Sequence, residues 1–150
     1  MSGLHSRNKG KAGEREVRDL FRRIFEGHMD DVEDIRRNHQ QAEIGGADLV
    51  GLPFFSVEIK RVKQIAWGKG LMDWWGQCVE QASNDKKAPL LLFRQDHGKW
   101  FVMFYAQPIL SCIEHGKIDD LQCAYLYPSI MMWEQFSEML KTALEMKERK

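Results

Sequence analysis

The sequence predicts an α/β fold built on a mixed (α+β) sheet, in the order helix, strands, helix, strands, with one further helix added at the C-terminus. Three observations carry this expectation. Val17, Leu20, Phe21, Ile24 and Phe25 recur at the spacing of one buried helix face. Leu71, Trp74, Trp75, Cys78, Val79 and Ala82 form a second helical stripe. Between and after these stripes lie short runs rich in Val, Leu, Ile and Phe, which suit strands at the centre of a sheet.

Taken in order, Met1 to Lys9 shows no periodicity and is expected to be a mobile basic tail. The first helix is expected from about Lys11 to Gly27, where glycine stops it. Asp30 to Asp34 is an acidic turn, Ile35-Arg36-Arg37 a short edge strand, and Gln40 to Gly46 a loop. Strands follow at Ala47–Leu52 and Phe54–Arg61, punctuated by Pro53 and expected to pair as a hairpin. Gln64 to Lys69 is a linker, and the second helix spans about Gly70 to Asn84. Pro89–Phe93 and Trp100–Tyr105 are strands joined by a tight turn. Gln107–His115 is expected as a short helix starting near Pro108, Asp119–Tyr127 as a short strand, and Ser129 to about Lys147 as a helix with Ile130, Trp133, Phe136, Leu140 and Leu144 on one face.

Length and composition fit one domain over residues 1–150, with 106–150 as an extension packed on the core. A chain of this length can bury roughly two-thirds of its surface. Hydrophobic residues are 43% and charged residues 29%, a globular balance that excludes a disordered chain. No apolar run nears the ~18 residues of a membrane span, and the N-terminus lacks a secretory apolar core. A cytoplasmic location is therefore expected, that of the host if the chain is phage-encoded. Cys78, Cys112 and Cys123 fit no zinc or disulfide spacing and read as free, mostly buried thiols.

Lys+Arg and Asp+Glu both total 22, so the chain is neutral overall. Its charges are unevenly spread. Arg7, Lys9 and Lys11 open a basic stretch, and Lys60, Arg61, Lys63 and Lys69 form another, while acids gather at Glu26–Asp34 and Glu114–Asp120. A local positive footprint for phosphates can sit within a neutral total, as can a merely solvated surface. Arg94, at a strand end, could reach a phosphate or remain an ordinary surface arginine.

Chemistry concentrates in Gly45–Gly51 and Val57–Lys60. On a strand Glu58 and Lys60 share one face while Val57 and Ile59 take the other. Charges on a buried strand are expensive, so Asp48, Glu58 and Lys60 need a reason to be there. A cross-strand ion pair is one reason; a compact site for a divalent metal and its activated water is the other. Glu14 falls inside the apolar arc of the first helix, where an acid needs a partner, although the helix dipole also favours an acid there. Gln77 and Gln81 lie four residues apart on one flank of the second stripe, Gln81 nearer the stripe. Trp67, among basic residues, either covers the edge of the core or stacks on a base.

This order of elements, with Gly46-Ala47-Asp48-Leu49-Val50 on the first site strand and Glu58-Ile59-Lys60 on the second, resembles the PD-(D/E)XK nuclease superfamily. Lys9-Gly10-Lys11-Ala12-Gly13-Glu14-Arg15-Glu16 is similar to the opening of its archaeal and phage Holliday-junction resolvase group, and Trp74-x-x-Gln77 to an aromatic-x-x-Gln pattern seen in several branches. The resemblance runs from Lys9 to about Tyr105; Ala47 stands where the motif's name has proline, and nothing after Tyr105 matches the group. It implies a restriction-endonuclease-like core and a magnesium-dependent endodeoxyribonuclease acting on branched DNA as a homodimer, with manganese as a substitute metal. It implies Asp48, Glu58 and the Ile59 carbonyl as metal ligands, Lys60 as the group that orients water and stabilises charge, Glu14 as the helix acid, and Gln77, or Gln81, as a helper. DNA contacts are expected from Arg7, Lys9, Lys11, Arg61, Lys63, Lys69 and Arg94. A flap-, nick- or duplex-directed nuclease of the same fold, and a non-catalytic DNA-binding module, are the alternatives.

Overall fold

A computed structural model describes residues 2–106 and 128–149. Helix α1 (Ser2–Phe25) packs Val17, Phe21, Ile24 and Phe25 into the core, and its last turn carries Arg22 and Arg23, whose charge suits the negative end of the helix dipole. The expected tail is thus the first part of this helix: residues 3–8 are exposed, yet extending a helix that packing has already nucleated takes little free energy per residue. Gly27, at φ +84°, lies just past its end. The chain then turns through a 3₁₀ segment, Val32–Asp34, capped by the Asp31 carboxylate, which accepts from Glu33 N. Arg22 binds this turn to α1 by donating to the Ile35 and Glu33 carbonyls.

Strand β1 (Arg36–Arg37) pairs antiparallel with β2 (Leu49–Val50), and a single helical turn, α2 (Gln41–Ile44), occupies the expected loop between them. Strand β3 (Phe55–Val62), helix α3 (Lys69–Asp85) and β4 (Ala88–Gln95) form a β-α-β unit with parallel strands, in register Glu58 to Leu91 and Lys60 to Phe93. Strands β5 (Phe101–Phe104) and β6 (Ser129–Met132) extend the sheet antiparallel, in the order β3-β4-β5-β6, and α4 (Trp133–Glu148) ends the fold. This is the mixed α+β arrangement that the sequence predicts, compatible with a restriction-endonuclease-like core plus a C-terminal helix. No helix among the described residues is long and apolar enough to cross a membrane.

Two layers of side chains flank the sheet. Val57, Ile59, Leu90, Leu92, Val102 and Phe104 meet α1 and α4 on one face, with Phe21 edge-on to Trp133 and Phe104 to Phe136. Leu91, Phe93 and Met103 meet Leu71, Trp75 and Cys78 of α3 on the other. Alternation along β3 therefore directs Glu58 and Lys60 to the α3 face.

Two further expectations are corrected. Ala47–Leu52 and Phe54–Arg61 do not form a hairpin: β2 pairs with β1, and β3 ends the four-stranded sheet. Gly51 and Phe54, both at positive φ (+77° and +67°), turn the chain between them. Ser129–Met132 is a strand and not the start of a helix, because it finds the open edge of β5; Ile130 accordingly is 42% exposed. The expected elements at Gln107–His115 and Asp119–Tyr127, with Cys112 and Cys123, lie outside the described residues. Cys78 is buried and free.

Gly51 fixes the course of β2. A Cβ there would stand 1.9 Å from the Asp34 carbonyl oxygen, and its φ is one that L side chains rarely adopt. Gly51→Ala should lower stability by at least about 2 kcal/mol, measured as a fall in the urea midpoint at unchanged slope.

Candidate active site

Asp48 lies at the entry to β2 and makes an unusual connection to β3. Its backbone N donates to the Val57 carbonyl at 2.9 Å. In a regular ladder the Ile59 N–H would go to a backbone carbonyl of the facing strand. Instead Ile59 N donates to the Asp48 side-chain Oδ2 at 2.6 Å, while the Asp48 carbonyl accepts from Asn38 N at 2.9 Å. The carboxylate thus takes the place of a strand's carbonyl, and Asp48 is fastened to the β3 backbone on either side of Glu58, within reach of its charge. By the same alternation the Ile59 carbonyl turns toward this edge of β3, away from β4.

The other Asp48 oxygen, Oδ1, accepts from Gln41 Nε2 of α2 at 2.6 Å. The residue is only 6% exposed. Burial first, then the charge of Glu58, push its carboxyl up to about 7; the hydrogen bonds from Ile59 and Gln41 pull the other way, and Glu14 adds to the rise.

Glu58 and Lys60 stand on the α3 face of β3, with Glu58 Oε1 2.6 Å from Lys60 Nζ and both side chains mostly buried. Beneath them α3 brings Cys78 against the Glu58 backbone; burial, then the Glu58 charge, hold the thiol well above its ordinary range, so it is an inert packing group. Ser56, one step earlier on the same face, donates to Asp85 Oδ2 at 2.8 Å and fastens the end of α3. Glu14 arrives from α1, its Oε2 accepting from Arg37 Nε at 2.7 Å. Gly13 packs closely here: a Cβ at this position would make ordinary van der Waals contact with Arg61 Cβ at 3.4 Å and the Trp100 ring at 3.5 Å.

The structure therefore gathers Glu14, Asp48, Glu58, Ile59 and Lys60. Gln77 is exposed on α3, and Gln81 donates to Asp85 at 3.1 Å; neither is a hydrogen-bond partner of the acids or of Lys60 among the described residues. Of the expected DNA contacts, Arg7, Lys11 and Lys63 are exposed. Lys9 pairs with Asp96 at 2.5 Å, and Arg61 lies 3.6 Å from the same carboxylate. Arg94 pairs with Glu16 at 2.8 Å and lies over the Trp100 ring. Lys69 pairs with Asp73 in an exposed i,i+4 contact.

Among the described residues no three His, Cys, Asp or Glu side chains stand close enough together to be a ready-made metal site. The chemistry of the donors nevertheless fits a hard divalent cation. All are oxygens, and the charges of Glu58 and Glu14 both reach Asp48 and help to keep its carboxyl raised. Each oxygen of an ionised carboxylate has two acceptor positions, so one hydrogen bond apiece does not exhaust Asp48 or Glu58. Lys60 on Glu58 and Arg37 on Glu14 supply the positive charge in this arrangement.

Sequence reasoning missed Gln41, Arg37 and Asn38. Arg37 had a signal: on the expected edge strand Ile35-Arg36-Arg37 it shares the face of the apolar Ile35. Gln41 and Asn38 had none, since a loop amide reaching a carboxylate leaves no periodic trace.

Asp48 should make the metal-free protein sensitive to pH. Its folded pKa, about 7, lies above its unfolded one, so the native state holds the proton longer. The stability this gives is present below the unfolded pKa and is lost as pH rises through about 7. Urea unfolding in EDTA at pH 5 and pH 8 should show wild type losing a few kcal/mol more than Asp48→Asn, whose amide cannot ionise.

The chain matches, over residues 5–146, the model of the family described as "Phage putative PDDEXK endonuclease". The match continues past Tyr105, where the sequence alone offered no pattern. Neither the curated proteins nor the solved structures compared with the chain gave a match. With nearly its whole length covered, this chain belongs to that phage PD-(D/E)XK endonuclease family.

Proposed function

We propose that the protein is a magnesium-dependent endodeoxyribonuclease that hydrolyses phosphodiester bonds in branched DNA, with the four-way junction as its substrate and a homodimer as its working form. Membership of an endonuclease family supports the reaction class and DNA as substrate, and PD-(D/E)XK nucleases use divalent metals. The observation that carries the reading is the Asp48 carboxylate bound to the β3 backbone within reach of the Glu58 and Glu14 charges, with Lys60 paired to Glu58.

Asp48, Glu58 and the Ile59 carbonyl would hold the cation, and Glu14 would add charge from α1. A divalent cation bound there supplies positive charge to the phosphate and acidity to its water. Lys60 does the rest of the electrostatic work. Its ammonium is held 2.6 Å from Glu58, so it is already desolvated on one side and positioned on a rigid strand. From there it orients the attacking water and offsets the negative charge that grows on the phosphoryl oxygens. Gln77, on the exposed flank of α3, would help to place phosphate or water.

Support for a branched substrate comes from the likeness of Lys9–Glu16 to the resolvase opening. Exposed Arg7, Lys11 and Lys63 could contact phosphates and so read the shape of the DNA. Two sites on opposed strands of a junction require a symmetric pair of subunits.

Incubation with magnesium and a synthetic four-way junction, a flap and a linear duplex side by side tests this. Cleavage of the junction by paired cuts is expected, and equal cleavage of all three would remove the branched-DNA reading. Glu58→Ala should lose magnesium binding by calorimetry together with cleavage. Lys60→Met should retain the metal yet lower kcat by about 10²-fold or more. A Glu58→Ala protein that cuts normally would overturn the assigned centre.

A further inference from the structure

We infer that Trp67 is a stacking platform for an unpaired nucleobase next to the cut, so that the enzyme requires an unstacked base at the branch. This rests on the nuclease reading above and specifies which feature of branched DNA the site takes.

The argument begins with strand register. Lys60 on β3 is paired with Phe93 on β4, and Phe93 with Phe101 on β5. All three side chains lie on the α3 face, in one row across the sheet, neighbouring strands being about 5 Å apart. The segment leaving β3 brings Trp67 back over this row. Its ring centre lies 5.8 Å from that of Phe93 and 5.9 Å from that of Phe101, at 77° and 81° to their planes. The two phenyl rings are stacked on each other. Both contacts are edge-type, so the indole is anchored on the two phenyl rings and more than half of its surface stays open. Trp67 is accordingly 57% exposed, although tryptophan has every reason to be covered.

The surroundings choose the occupant. Lys63 and Lys69, which flank Trp67 in the chain, are exposed; Lys69 shares its charge with Asp73. Met72, further along the chain, is also exposed, at 49%. One open aromatic plane between cations is too small for the apolar centre of a protein interface, but it matches a base with its phosphates. The base must be unpaired or unstacked, because within a continuous duplex both faces of every base are covered by neighbours. Bases at branch points, flaps and frayed arms have a free face. With Lys60 beginning the row and Trp67 closing it, the stacked base belongs to a nucleotide close to the scissile phosphate.

Trp67→Leu keeps an apolar cover over Phe93 and Phe101 and removes the aromatic plane; Trp67→Phe keeps a smaller plane. Affinities of the full-length wild type and both variants, checked for fold by circular dichroism, are measured by anisotropy. The probes are a labelled splayed-arm DNA and a fully paired duplex of equal length, with calcium in place of magnesium. Wild type should prefer the splayed DNA. Trp67→Leu should weaken that binding about tenfold and leave duplex binding within twofold, and Trp67→Phe should recover most of the loss. Equal loss on both DNAs, no loss, or a Phe variant as weak as Leu would each overturn the stacking role. If wild type cuts DNA with magnesium while Trp67→Leu binds normally, only this inference fails. If wild type neither binds nor cuts either DNA, the nuclease reading falls with it.

Discussion

The hydrogen bond from Ile59 N to the Asp48 carboxylate is the contact on which the rest of the site depends. The outer edge of β3 would otherwise present an unpaired N–H within a nearly dry environment, and the buried carboxylate would keep only the Gln41 amide as a donor. Each group alone is destabilising, the N–H by about 1–3 kcal/mol and the carboxylate by several kcal/mol. Joined, they satisfy each other, and they hold the chemistry in place without a second full strand. The edge of β3 stays open because β2 touches it through Asp48 and then turns away at Gly51. A continuous β2–β3 ladder would have closed the space in which Asp48, Glu58 and the Ile59 carbonyl can face a common point.

Positive charge is distributed by the same economy. Lys9, Arg61 and Asp96 form one cluster, and Arg94, Glu16 and Trp100 another, tying α1 to the ends of β3 and β4. Lys9 draws the Asp96 carboxyl below its ordinary range, first by hydrogen bonding and then by charge. Asp96 also closes the end of the unit, its backbone N donating to the Val62 carbonyl. These are the residues that a count of basic side chains would assign to DNA. Their first partners are carboxylates of the same chain, and their effect is to fix the angle at which α1 presents Glu14. A neutral total charge follows naturally when acids and bases are spent on each other in this way.

Much of this was legible in the sequence, for reasons that differ by element. The two helical stripes and the apolar strands announce themselves by period, and the period-2 alternation of β3 alone separates Glu58 and Lys60 from Val57 and Ile59. Glu14 was visible because a helix makes an acid's angular position computable. The hairpin between β2 and β3 was misread because the turn at Gly51 is dictated by the Asp34 carbonyl 17 positions earlier, a contact no local pattern encodes. Ser129–Met132 was misread because a four-residue apolar run before a helix is compatible with either structure, and only the free edge of β5 decides it. Gln41 was invisible because its role is one long-range hydrogen bond.

The position of the acids along β3 also explains why one short β-α-β unit suffices for the chemistry. In such units ligands gather beyond the carboxyl ends of the parallel strands, where the chain leaves for the helix. Lys60 is two residues from the end of β3, and Arg94 one from the end of β4. Glu58 lies one step deeper, where α3 and Cys78 exclude water from one side. Glu58 is therefore set below the rim and Lys60 nearer to it, so in the proposed reaction a phosphate entering from the rim would meet Lys60 before Glu58 and Asp48. On that proposal a chain of zero net charge would accept a polyanion at a centre made of carboxylates: the approach would be past Lys60, and the repulsion of the acids would be confined to a depth where only a small cation need reach.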